Sequence, residues 1–129
     1  MIRPVALAVF LCLGMSQAAA ADCSAGAVAA ARSSFKARYE AREFKPARDL
    51  LNEVWSECFA DNPDGIVAAE IASDLALAQH RSGDSDDCLQ TLSDFMPGFR
   101  TADRRLASLP ERLRKAIVFN IGLCEKQCP

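Results

Sequence analysis

The feature that most constrains this chain is SDLALAQHRSGDSDDCLQTLSDF, residues 73–95. Leu75, Ala76 and Ala78 stand before Gly83, and Cys88, Leu89 and Leu92 stand after it. Apolar residues at three- and four-residue steps draw one stripe along an α-helix. A glycine set among polar residues closes a helix by taking the left-handed backbone that side chains resist. The segment therefore reads as an αα-hairpin, two amphipathic helices folded back through a short turn. Small residues at Ala76 and Cys88 allow the two backbones to approach closely.

The same punctuation divides the rest of the chain. A first, alanine-rich helix spans about Ser24 to Arg42. Pro46, whose fixed φ suits a first helical turn, opens a second, with Ala47, Leu50, Leu51, Val54 and Cys58 on one face, widened by Trp55 and Phe59. Pro63 and Gly65 end it. Asp64 can cap a third helix over about Ile66 to Arg81, with Val67, Ile71, Leu75 and Ala78 inward. Asp84 or Ser85 caps a fourth, and Asp86 and Asp87 lie favourably at its positive end. Its stripe is Cys88, Leu89, Leu92, Phe95 and Met96, and Pro97 and Gly98 stop it. One short helical turn is expected near Asp103. Ser108 and Glu111 are spaced like a capping box ahead of a fifth helix to about Lys126, with Leu113, Ile117, Ile121 and Cys124 inward. No segment alternates with a β period, so the expected fold is all-α.

Residues 1–21 have a separate role. Arg3 is followed by an unbroken apolar run, Val5 to Met15, and then by the small residues Ala18 and Ala20. That is the pattern of a secretory signal peptide, cleaved after Ala20 or Ala21. The run is short of the roughly 20 residues that span a bilayer. Cys23 follows Asp22 rather than a small residue, which argues against lipidation there. The processed chain, residues 22–129, is one domain of about 108 residues. It keeps all 17 acidic residues and loses one of 15 basic ones, Arg3, for a net charge of −3. Neither that charge nor the small number of aromatics suits nucleic acid.

Five of the six cysteines remain after processing. Export to the periplasm or medium would let them pair. Cys88 with Cys124 is favoured, because both fall on apolar faces, and Cys23 with Cys58 is the second candidate; spacing alone does not fix connectivity. Cys128 is left at the tail, free or paired between chains. Structural zinc is the competing use, but no CxxC pair exists and His80 is the only histidine, so no metal site is expected.

The stretch LALAQHRSGDSDDCLQTL resembles a tetratricopeptide repeat. Leu75 and Ala76 take the first-helix packing places, Gly83 the turn, Cys88 the usual alanine of the second helix, and Leu92 and Phe95 its later apolar places. FKARYEAREFKPARDLL is a weaker copy in which Ala47, Leu51 and Val54 echo Cys88, Leu92 and Phe95, with Pro46 in place of a turn glycine. AIVFNIGLC resembles the first helix of a third unit, which stops there. The spacing between copies exceeds the roughly 34-residue period of the family, and a generic helical bundle with one glycine turn accounts for the same residues. The resemblance implies antiparallel helix pairs stacked as a short, irregular array, stapled by disulfides. It also implies a groove along the first helices that holds a protein or peptide partner. Carried onto this chain, the groove residues are Arg32, Lys36 and Tyr39, with Glu70, Ser73, Leu77 and His80.

The residues offer little to catalysis. No serine sits in a nucleophile elbow and no glycine-rich phosphate loop is present. His80 lies near a helix end, where its charge is welcome. Residues 61–65 resemble half a calcium loop without its bidentate glutamate. The expected function is thus a non-enzymatic binding or scaffold module without cofactor. The alternative is an inhibitor or immunity-type protein that blocks an exported enzyme through a protruding loop at 97–109. A basic stretch, Arg100, Arg104, Arg105, Arg112, Arg114 and Lys115, could face anionic lipid or an acidic partner, or simply solvent.

Overall fold

The computed structural model describes residues 22–97 and 104–125. They form six helices and no strand: α1 Ala25–Glu40, α2 Phe44–Cys58, α3 Gly65–Arg81, α4 Ser85–Phe95, the single turn α5 Arg104–Ala107, and α6 Glu111–Glu125. The architecture is the expected all-α stack of antiparallel pairs. Helix α1 packs on α2, α2 on α3 and α3 on α4, while α6 lies against both α3 and α4. The expected signal peptide with its cleavage site, Arg100, and the leftover Cys128 fall outside the described residues.

Both hairpin turns have the same construction. Gly83 takes φ +82°. Its N–H donates to His80 O at 3.1 Å, and the next N–H, of Asp84, reaches back to Gln79 O at 2.9 Å. This pair of bonds satisfies the last carbonyls of a helix and defines the Schellman motif. At the end of α1, Arg42 N–H donates to Tyr39 O at 3.0 Å and Glu43 N–H to Arg38 O at 2.9 Å. Arg42 has φ +62°. The first turn thus repeats the second without a glycine, which no sequence signal announced.

Helix α3 is the centre of the stack. Its alanines Ala68, Ala69, Ala72, Ala76 and Ala78 are all fully buried, with Ile71 and Leu75. Short side chains on several faces let α2, α4 and α6 approach it together. The expected close approach of α3 and α4 is visible where Cys88 Sγ lies 3.1 Å from Ala76 O. Two buried polar pairs tie the neighbours to α3. Thr91 Oγ1 of α4 donates to Gln79 Oε1 at 2.9 Å. Asn120 Nδ2 of α6 donates to Ser73 O at 3.1 Å and Ser73 Oγ at 3.0 Å. Such groups fit a core only when partnered, so each pair fixes how one helix is seated on the next.

Two disulfides staple the stack. Cys23 joins Cys58, with Cα atoms 5.5 Å apart, and ties the start of α1 to the end of α2. Cys88 joins Cys124, with Cα atoms 5.9 Å apart, and ties α4 to α6. The second pair is fully buried, whereas Cys23 is exposed and Cys58 half-buried.

Several local expectations change. Val67 was expected inward but is exposed, because the core-facing residues of the first turn of α3 are Ala68 and Ala69. Asp64 caps α3 as expected, its Oδ1 accepting from Gly65 N–H at 2.9 Å. Asp84 occupies the cap position of α4, but its carboxylate makes no cap bond there; it pairs instead with Arg48 of α2. Glu111 stands at the first position of α6, earlier than a capping box with Ser108 requires.

Candidate functional site

Helices α1 and α3 run side by side in the same direction. Arg32 Nε of α1 donates to Asp74 Oδ2 of α3 at 2.9 Å, 42 residues on. Arg81 Nε, again 42 residues on, donates to Tyr39 OH at 3.2 Å. Two contacts at one separation require parallel axes. Helix α6 then closes the far side, and a cleft of about 480 Å³ opens between the three.

Four of the seven expected groove residues meet there: Arg32 and Lys36 from α1, Glu70 and Ser73 from α3. The other three do not line it. Tyr39 sits in an aromatic cluster at the first turn, 5.7 Å from the Phe35 ring and 5.1 Å from Phe44. His80 turns its Nδ1 into the protein, where it has no hydrogen-bond partner. Leu77 is half-buried further along α3. All three lie toward the opposite end of the α1–α3 strip.

Reasoning from the sequence missed Asp74, Ile66, Arg112, Leu113 and Ala116, which complete the walls with Pro110. Asp74 was legible as the next turn of Glu70's face. The α6 contribution was not, because which face of α6 borders the cleft depends on how three distant segments stack.

The electrostatics centre on Arg32, which pairs with both Glu70 and Asp74. Burial pushes the Asp74 carboxyl above its ordinary range, and the attraction of Arg32 offsets only part of that cost. Burial works against the Arg32 charge too, yet its two carboxylates hold its pKa above the usual value. The two partners therefore resolve the same contest in opposite ways. A guanidinium shared by two carboxylates is well compensated, and each carboxylate receives only part of one cation. Arg112 and Lys36 supply further positive charge at the walls.

The arrangement presents side chains of both charges at the walls of the cleft. Among the described residues no three His, Cys, Asp or Glu side chains come together to hold a metal ion, and the Ser73 hydroxyl is engaged by Asn120. Of the loop expected to protrude at 97–109, residues 98–103 lie outside the described residues, and Leu106 of α5 and Leu109 are packed into the core. None of the helices described is long and apolar enough to cross a membrane. The chain matches no protein-family model, no curated protein and no solved structure.

Proposed function

We propose that the protein is an exported, non-enzymatic binding module that holds an extended segment of a partner protein in the cleft between α1, α3 and α6. The observation that carries this reading is the origin of the walls. Each comes from the helix that the tetratricopeptide resemblance makes the first of its unit, and in that family first helices line the groove. The two matching turns, one at Arg42 and one at Gly83, favour the same repeat. Two disulfides fit an oxidising compartment, and the apolar leader at residues 1–21 supplies a route to the periplasm or beyond.

Site-specific photo-crosslinking tests the reading. A photoreactive side chain at Lys36 in the cleft is expected to trap a defined partner in the producing cell. The same group at Gln90, on the exposed face of α4, is expected to trap none. Identical adduct patterns from the two positions would refute the cleft as the binding site.

A further inference from the structure

We infer that the outer face of α6 is a docking surface for anionic lipid headgroups. Helix α6 turns Ile117, Ile121 and Cys124 into the core, yet it also presents Val118 and Phe119 outward, 41% and 65% exposed. Phe119 is the most exposed large apolar side chain among the described residues. Arg114 and Lys115 stand one turn before them, and with Leu106 of α5 these five residues line a shallow apolar depression of about 540 Å³. An exposed ring beside long cationic side chains matches a membrane interface. The ring enters the boundary between headgroups and acyl chains, while the cationic stems lie along apolar surface and carry their charges to phosphate.

The charge distribution favours the same occupant. Residues 104–115 carry five basic side chains against one acidic, in a chain whose total is −2. Of these, Arg114 and Lys115 line the depression beside the apolar residues that emerge, and an anionic leaflet attracts such a pair. Lys115 pairs with Glu111 at 3.1 Å, but both are exposed, and a pair of that kind is readily exchanged for a phosphate. A second copy of the chain fits less well. Two apolar side chains fall far short of a stable dimer interface, and a symmetric contact would bring one basic rim against another.

Flotation of the oxidised, exported protein with vesicles tests this. The protein is expected to bind vesicles that contain phosphatidylglycerol, to ignore vesicles of phosphatidylcholine alone, and to be released by added salt. Phe119→Ser should weaken binding about tenfold, as expected for losing one buried aromatic ring. Val118→Ser should act in the same direction with a smaller effect. Arg114→Glu with Lys115→Glu should abolish the preference for anionic vesicles. Equal binding to both vesicle types, or unchanged binding by Phe119→Ser, would overturn the inference. So would binding to soluble polyglutamate without binding to vesicles, which would make the occupant an acidic macromolecule. Circular dichroism and bridge mapping serve to check that the variants remain folded. Crosslinking from position 36 is expected to be unaffected by these changes, so this surface and the cleft fail or stand separately.

Discussion

The two helical hairpins close with the same turn but carry different loads. Helix α1 buries two residues, Val28 and Phe35, whereas α3 buries nine over more than half of its circumference and leaves the rest to the cleft strip. The α1–α2 hairpin is held at its open end by an exposed disulfide and turns on an arginine. The α3–α4 hairpin turns on a glycine, and α6 is locked to it by a buried disulfide. Backbone hydrogen bonding sets the geometry of the turn. Position in the stack sets how much each hairpin contributes to stability.

The disulfides offer the largest test. They close loops of nearly equal length, spanning 35 and 36 residues, so chain entropy assigns each about 4 kcal/mol. Replacing Cys88 and Cys124 by alanine should cost that much and more, because the pair is also packed in the core; replacing Cys23 and Cys58 should cost no more than that. Denaturant unfolding measures both, and an equal or larger loss for the exposed pair would collapse the contrast. A second test asks whether α6 is keyed to α3 by its polar pair. Asn120→Ala strips the Ser73 hydroxyl of its buried partner and should destabilise by about 2 kcal/mol; a loss near zero would mean apolar packing alone seats the helix.

The turns give a smaller, opposite pair of effects. Gly83→Ala should lose about 1 kcal/mol, since a side chain at positive φ is strained. Arg42→Gly relieves strain of that size but adds freedom to the unfolded chain. It should therefore gain only about 0.5 kcal/mol. Loss at both positions would show that Arg42 earns its place through contacts.

The finest effect concerns pH. A carboxyl raised in the folded state, as at Asp74, contributes stability that is fully present below its unfolded pKa. That contribution is lost as pH rises through the folded value. Asp74→Asn should therefore flatten the stability profile just above about pH 4, where free carboxyls titrate. An unchanged slope in denaturant midpoint across that range would contradict the assignment.

Much of the fold is legible in particular residues. Asp64 and Gly83 mark helix ends because capping and positive φ are local properties. Ile71, Leu75, Cys88, Leu92 and Ile117 declare their burial through period alone. Arg42 gave no signal, because arginine rarely adopts that conformation and only the surrounding carbonyls demand it. Asp84 misled because a carboxylate at a helix start has a local use, while Arg48 reaches it from another helix. The cleft was half legible. Arg32, Lys36, Glu70 and Ser73 share predicted faces, but the wall from α6, and the ends of the strip where Tyr39 and His80 fall away, are set by tertiary stacking.

The order of the bridges has a consequence for biogenesis. Cys23 joins Cys58, the next cysteine in the chain, and Cys88 joins Cys124, the next again. Were the chain exported from its amino end, as proposed above, each thiol would meet its proper mate as the following one to emerge. Oxidation in order of appearance would then yield the native pairing, without recourse to an isomerase.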